Sequence, residues 1–222
     1  MNLSDILFAR VEGLWEEAAQ KPFVIEMAKG SLQEGLFRCY MLQDYLYLLD
    51  YIDILNCTLK LTADPGLQVF LRGIIRGTEN ETKQVHLPNM KKIGITEDEA
   101  GQCAKAQVIS EYADYMKMQL QEHGLIAGLT ALLQCSWVYA YIGQTVTERY
   151  ADEVAASPYR SWFDAYTNDE DINTNRKWID QLDEETKDLG EAETEKLCEI
   201  FETCAGFENR FWDVLFTMKH ME

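Results

Sequence analysis

The sequence contains few of the residues that interrupt helices. Its 222 residues include 4 prolines and 13 glycines, and no run shows the sustained alternation of apolar and polar residues that indicates a strand. Apolar side chains instead recur three or four residues apart, for example at Leu7, Val11 and Trp15. Residues at this spacing share one face of a helix. We therefore predict an all-α protein.

Positive charge is also scarce. The chain carries 20 Lys and Arg residues against 38 Asp and Glu residues, which gives a formal net charge of −18 at pH 7. A protein that binds nucleic acid needs clustered positive charge to neutralise phosphates, and an anionic membrane surface repels an acidic protein. The composition therefore argues against nucleic-acid and membrane partners, and it is compatible with a neutral or cationic small molecule.

Signals for export and for disulfide formation are missing as well. The first 20 residues contain four acidic side chains, whereas a secretory signal has a basic start and an uncharged apolar core. No apolar run approaches the roughly 18 residues that a membrane span requires. Without a signal peptide, and with no CxxC pair, the six cysteines are interpreted as reduced thiols. We expect a cytoplasmic protein.

Capping signals predict where several helices begin. Ser4 is the expected N-cap of the first helix, and Ser31–Glu34 and Thr96–Glu99 both have the capping-box form. In that form, two side chains satisfy each other's unpaired backbone donors. The polar stretch Asn168–Asn175 is interpreted as a loop or a frayed helix start.

The most apolar segment covers residues 125–152 and follows a stop signal at Gly124. Apolar residues surround this predicted helix on all sides, so we expect it in the interior. The chain has no linker, internal repeat or low-complexity tract. We therefore predict one helical domain over residues 1–222.

Four segments place polar or reactive side chains on helix faces that should be buried. Cys135 and Tyr139 are four residues apart and share one face of their helix. On another helix, Asp44, Tyr47 and Tyr51 share a stripe. The segments are Gln43–Leu48 with Tyr51, Cys135–Tyr139, Tyr159–Tyr166 and Glu208–Trp212.

These segments are open to two interpretations. If they converge, they form an aromatic pocket with two carboxylates and one thiol, suited to a heterocycle with ring nitrogens and an exocyclic amine. Otherwise they belong to an ordinary core in which tyrosines bond to nearby carboxylates, since a buried polar group needs a partner. Spacing along the sequence is compatible with both.

The same four segments resemble the TenA/thiaminase II family in order and in separation, so the resemblance covers nearly the whole chain. It implies a haem-oxygenase-like helical bundle and a homotetramer, and we predict no cofactor. It also implies hydrolysis at the methylene on C5 of a 4-amino-2-methylpyrimidine, which gives the hydroxymethylpyrimidine used in thiamin synthesis. The family's substrates include aminomethylpyrimidine and thiamin itself, which the sequence does not rank. The residues that carry the likeness are Phe37–Leu48, Cys135–Gly143, Tyr159–Tyr166 and Glu208–Trp212.

The resemblance assigns three catalytic residues. Cys135 corresponds to the nucleophile that adds to the pyrimidine ring, Glu208 to the acid that protonates a ring nitrogen, and Asp44 to the carboxylate that binds the amino-pyrimidine edge. Tyrosines are implied to bind the substrate. They are Tyr47, Tyr139, Tyr166 and Tyr112, with Tyr115 as the alternative to the last.

Each of these residues also has a structural interpretation. A buried cysteine is more often a small hydrophobic residue than a nucleophile. The carboxylates have candidate structural partners: Glu208 with Arg210 or Lys219, and Asp44 with Tyr47 or Arg38.

One histidine raises the question of a metal site. Ferritin-like diiron sites use Glu-x-x-His motifs, and neither Glu79 nor Glu81 stands three residues before His86. We therefore predict no metal and no haem.

Two non-catalytic functions remain as alternatives. A diverged relative that only binds its ligand would not need a thiol together with two carboxylates. A regulator that contacts DNA would need a basic face, which this acidic chain lacks.

Overall fold

The structure is a computed structural model that describes residues 2–218, apart from the side chains of residues 84, 85, 89 and 97. Over the described residues the chain is helical nearly throughout and contains no β-strand. The predicted all-α class is confirmed. The helices fall into two compact units, described in turn below. The prediction of one domain over residues 1–222 stays a prediction.

The first unit, called the N/C unit, consists of residues 2–32 and Leu129–Thr217. Its helices come from both parts of the chain. They are α1 (Leu3–Ala19), α2 (Pro22–Ala28), the second part of α7 (Gln107–Arg149), α8 (Ala151–Ala156), α9 (Arg160–Thr167), α10 (Asp169–Thr186) and α11 (Glu191–Thr217).

The second unit, called the middle unit, consists of Gln33–Gly128 together with Met218. It begins with the long helix that carries Asp44. Its helices are α3 (Glu34–Leu61), α4 (Pro65–Glu81), a π-helical turn (Thr82–His86), α5 (Leu87–Lys92), α6 (Glu97–Gln102) and the first part of α7.

In the N/C unit, α1 packs against α10 and α11. Asn209 of α11 donates from Nδ2 to the carbonyl oxygen of Leu14 at 3.0 Å. Ser4 donates to Asp183 of α10 from its backbone N–H at 2.8 Å and from its hydroxyl at 2.6 Å. The prediction that Ser4 caps α1 is therefore wrong, because its side chain is used in a contact between helices and the N-cap is Asn2.

The start of α3 also differs from its prediction. The N–H groups of Gly30 and Ser31 bond to the carbonyls of Met27 and Glu26, and Gly30 has a φ of 69°. This is a Schellman motif that closes α2, in which the left-handed position favours glycine. Ser31 is therefore part of the end of α2, and α3 begins after it with Gln33 as its N-cap.

Two side-chain caps begin helices of the middle unit, and the one at Thr96 confirms its prediction. Asp64 accepts a bond from the Leu67 N–H at 2.7 Å at the start of α4. Thr96 accepts one from the Glu99 N–H at 3.1 Å at the start of α6. These side chains satisfy backbone donors that have no partner within the helix.

Between α4 and α5 the helix widens into the π-helical turn Thr82–His86. Its last bond runs from the Leu87 N–H to the Thr82 carbonyl, five residues back. Pro88 follows, and a proline has no N–H to bond to the fourth residue before it. The sequence predicts that Pro88 breaks this helix; in the structure the break takes the form of a wider turn, a feature common at functional sites.

The apolar helix α7 bends at Gly124, as predicted. This residue has a φ of 83° and a ψ of −166°, a conformation open to glycine because it lacks a Cβ. Beyond it, Leu132, Val138 and Ile142 are fully buried. By length and composition α7 could cross a membrane, but most of its apolar stretch is buried inside the protein, so this is weak evidence for a span.

Of the two interpretations of Asn168–Asn175, the loop is wrong and the stretch is a helix start. Asn168 accepts a bond from the Asp171 N–H at 2.9 Å and caps α10, which begins at Asp169. The polar composition that suggested a loop reflects an exposed first turn, in which acidic residues complement the helix dipole.

Candidate active site

Asp44 lies in the middle unit as part of a buried polar pair. Its carboxylate is 4% exposed. The Oδ2 atom lies 2.6 Å from Nε2 of His86, and it also accepts a bond from the Tyr40 hydroxyl at 3.3 Å. Tyr40 is one helical turn before Asp44 on α3, whereas His86 ends the π-helical turn. The sequence reading did not pair His86 with Asp44.

The expected structural partner Arg38 is engaged elsewhere. It donates to the carbonyl oxygen of Ile93 at 2.7 Å and forms an ion pair with Glu99 of α6. The interpretation of Asp44 as the partner of Arg38 is therefore wrong.

The Asp44–His86 contact also changes the protonation of the histidine. Burial by itself lowers the pKa of His86. The hydrogen bond to Asp44 and the negative charges of Asp44 and Glu81 raise it by more, so the pKa of His86 lies above its usual value. The pair therefore favours a protonated imidazole beside a carboxylate.

Three tyrosines of the middle unit form a buried aromatic wall. The rings of Tyr47 and Tyr112 stack at 5.5 Å between centroids, with 20° between their planes. Tyr51 lies 5.9 Å from Tyr47. Tyr112 is buried and Tyr115 is half-buried, so Tyr112 is the residue that lies against Tyr47.

Gln43, next to Asp44, fixes the segment that leads into α7. Its amide donates to the Ala104 carbonyl at 3.0 Å and accepts from the Ala106 N–H at 2.7 Å. The predicted segment Gln43–Leu48 contains this residue, but no sequence pattern indicates a role for it. Its role depends on a contact with residues about sixty positions later.

In the N/C unit, Cys135 and Tyr139 lie one turn apart on α7, and the thiol residue is 8% exposed. Tyr139 is part of a second aromatic wall. Its ring lies 5.1 Å from Tyr166, 6.0 Å from Trp162 and 5.8 Å from Trp212. The structure thus brings together Tyr139 and Tyr166, two residues that were predicted to bind the substrate.

Gly143 allows this wall to form, because α9 passes close to α7 there. A Cβ at this position would lie 3.0 Å from Cβ of Tyr166 and 3.4 Å from the methyl group of Thr167. The distance of 3.0 Å between the two Cβ atoms is shorter than the contacts found in normal side-chain packing. The missing side chain therefore lets Tyr166 reach Tyr139.

We expect Gly143→Ala to lower kcat/KM by about 10-fold, because Tyr166 must move by a few tenths of an ångström and small displacements of positioning groups are costly. Gly13→Ala on α1 is the matched control, since a Cβ there meets nothing within 4 Å. It should keep full turnover and gain about 0.5–1 kcal/mol of stability. Equal turnover of both variants would contradict the role given to Gly143.

Glu208 is also in the N/C unit, on α11, and is 2% exposed with its Oε1 atom buried. The guanidinium of Arg210 lies over the Phe207 ring at 5.2 Å. Glu208 therefore does not lie at the surface, and Lys219, one of its candidate structural partners, lies outside the described residues.

A chain of polar side chains leads from the residue after the thiol to α10. The Ser136 hydroxyl donates to Oδ1 of Asn175 at 2.8 Å, and Nδ2 of Asn175 lies 3.4 Å from Oδ2 of Asp171. Burial raises the pKa of Asp171 to about 6, and the charge of Glu170 adds to this. The sequence does not reveal this chain, because the contacts join α7 to a stretch whose polar composition indicates a loop or a frayed helix start.

We expect Asp171→Asn to stabilise the protein above pH 7 by about 2 kcal/mol. The pKa of Asp171 is raised in the folded state, so folding is weakened as the pH rises from about 4 through 6. The asparagine removes that cost but not the hydrogen-bond acceptor. The unfolding midpoints of wild type and variant should coincide near pH 4 and separate at pH 8. Asp169→Asn, an exposed change in the same turn, should show no such separation.

Comparison with known proteins tests the family resemblance. The model of the TENA/THI-4/PQQC family matches residues 8–218. The chain belongs to this family. It is 32% identical over 218 residues to the aminopyrimidine aminohydrolase of Halalkalibacterium halodurans, covering 97% of this chain and 96% of that protein.

Solved structures place this TenA-family chain in its fold. It is similar to a TenA homologue from P. horikoshii OT3, with a TM-score of 0.84 and 27% identity over 98% of this chain and 99% of that one. It is also similar, at 14% identity and a TM-score of 0.77, to a Shewanella denitrificans OS217 domain with a haem-oxygenase-like fold, over 100% and 94% of the two chains. The predicted haem-oxygenase-like fold is confirmed.

Proposed function

We propose that this protein is an aminopyrimidine aminohydrolase. It hydrolyses the bond at the C5 methylene of 4-amino-2-methylpyrimidines and releases 4-amino-5-hydroxymethyl-2-methylpyrimidine for thiamin salvage. The observation that carries the proposal is the similarity to the H. halodurans enzyme of that name, which extends over nearly the full length of both chains.

The proposed reaction begins with Cys135. Its sulfur forms a bond to a carbon of the pyrimidine ring while Glu208 donates a proton to a ring nitrogen. The electron pair gained by the ring then expels the amine from the C5 methylene, where the amine leaves from its ammonium form as a neutral molecule. Water adds to the methylene carbon and gives one proton to the released amine. The bond from the ring to sulfur then breaks and restores the thiolate, and the ring proton returns to Glu208. Nucleophilic catalysis of this kind divides one difficult displacement into easier steps.

The remaining residues bind and orient the ring. Asp44 accepts a hydrogen bond from the amino-pyrimidine edge, a charge-assisted contact that is stronger than one between neutral groups. The stacked pair Tyr47 and Tyr112 and the pair Tyr139 and Tyr166 supply aromatic surface for the heterocycle. Buried aromatic groups with a few placed polar atoms are typical of small-molecule sites.

We also propose that the enzyme is a cytoplasmic homotetramer that needs no metal or haem. The tetramer is supported by the family resemblance, and the location by the six cysteines, which are all free thiols. Light scattering should give four times the chain mass. A monomer or dimer at micromolar concentration would contradict the tetramer.

The test of the function is hydrolysis by the wild-type protein. Purified protein is given 4-amino-5-aminomethyl-2-methylpyrimidine, its N-formyl derivative or thiamin, and the hydroxymethylpyrimidine product is measured by chromatography. Release of that product from at least one substrate is expected, and the ratio of the kcat/KM values names the preferred one. If none is hydrolysed, the protein is a diverged ligand-binding or regulatory relative.

A further inference from the structure

The hydrogen bonds of Asp44 are unevenly shared between its two oxygens. The contacts from His86 and Tyr40 both end on Oδ2, while Oδ1 accepts no bond from the described residues. Two donors on one oxygen fix the rotation of the carboxylate. The second oxygen remains available as an acceptor for a ligand.

A buried carboxylate needs this kind of support. Taking it out of water is costly unless a charge or a strong donor compensates. The charged groups that act on His86 from neighbouring elements are Asp44 on α3 and Glu81 on α4, and both favour its protonated form. The ring of His86 therefore gives the buried carboxylate a strong hydrogen-bond donor without a mobile lysine or arginine.

The backbone before His86 shows how the ring reaches Asp44. The π-helical turn Thr82–His86 adds one residue to a turn of the helix, which changes the direction of the side chains that follow. It contacts α3, and the ring at its end meets the carboxylate at 2.6 Å. Pro88 maintains the wider turn because it has no N–H to donate to the preceding turn.

We propose that His86 is a positioning residue for substrate recognition: it holds Oδ2 of Asp44 so that Oδ1 accepts an N–H of the exocyclic amine of the pyrimidine. The proposal rests on the proposed function and adds the group that makes Asp44 selective. A ligand with hydrogen at C4 in place of the amine offers Oδ1 no donor and leaves that oxygen unpaired. The Asp44–His86 pair therefore determines the preference for 4-aminopyrimidines.

Two substitutions differ by one methylene and separate the hydrogen bond from the presence of a polar side chain. The amide nitrogen of His86→Gln reaches the position of Nε2 and keeps a donor for Asp44. The amide of His86→Asn is too short to reach it. Both residues are neutral and polar, and neither titrates. Thermal unfolding shows whether each variant is folded.

The ligands are a matched pair as well. Binding of 4-amino-5-hydroxymethyl-2-methylpyrimidine and of 5-hydroxymethyl-2-methylpyrimidine, which lacks the amine, is measured by calorimetry. Wild type should prefer the first by roughly 10- to 100-fold, the range of a charge-assisted hydrogen bond. His86→Gln should keep most of this preference and His86→Asn should lose most of it. In an Asp44→Asn background, His86→Asn should have no further effect.

The outcomes are distinguishable. The role of His86 would be overturned by a folded His86→Asn variant that keeps the wild-type preference. It would also be overturned by a folded His86→Gln variant that loses this preference, and that test remains valid if His86→Asn does not fold. Equal binding of both ligands by a wild type that hydrolyses aminopyrimidines would overturn only this role. Failure of wild type to bind either ligand would overturn the proposed function and this role with it.

Discussion

Cys135→Ser should lower kcat/KM for the preferred aminopyrimidine by at least about 1,000-fold, because a serine hydroxyl is a far weaker nucleophile than a thiolate. The change replaces one sulfur atom by oxygen on the buried face of α7, so the circular dichroism spectrum should remain that of a helical protein. Turnover is measured under single-turnover conditions, which separate the chemical step from product release.

The control for this substitution is Cys198→Ser, which makes the same chemical change at another buried cysteine of the N/C unit. It can lower stability, since a hydroxyl replaces an apolar thiol, but it should leave the chemical step unchanged. Full activity of Cys135→Ser would show that the covalent mechanism is wrong even if the substrate is right. Equal losses in both variants would point to a general packing effect.

Glu208→Gln should lower the rate of the chemical step by roughly 100- to 10,000-fold, the usual contribution of a general acid. Glutamine has the same shape and can still form hydrogen bonds, so the ring still binds, but it has no proton to transfer. We therefore expect kcat to fall much more than the affinity for the hydroxymethylpyrimidine product. The limb of the pH–rate profile that reports this acid should disappear.

Glu202→Gln on the same helix is the matched control. Glu202 is exposed and lies 3.7 Å from Arg10, and an exposed pair of this kind contributes little. The variant should keep its kcat and its pH profile. A Glu208→Gln protein with a normal rate but weakened binding would make Glu208 a binding group and would require another acid.

Local signals predicted much of the helical framework. Asp64 and Thr96 act as caps, and Gly124 breaks α7, because each of these depends on the side chain and φ of one residue and its near neighbours. Ser4 and Ser31 failed as caps for the opposite reason. Their donors are taken by Asp183, far along the chain, and by the end of α2.

The candidate site was predicted in the same partial way. Helical spacing put Cys135 beside Tyr139, and family likeness supplied roles for Asp44 and Glu208. No local pattern marks His86, which is 42 residues from Asp44. A lone histidine on a helix is common, and only its partner gives it a role.

The sequence alone determined the all-α class and the acidic net charge, since these depend on composition and on spacing within single helices, and its resemblance to known proteins indicated the family. Tertiary structure decided which buried groups meet: Asp44 with His86, Gly143 with Tyr166, and Ser136 with Asn175. The physical reason is that helical periodicity fixes the face a residue occupies. It does not fix which other helix packs on that face, and the charge and orientation of a buried side chain depend on that neighbour.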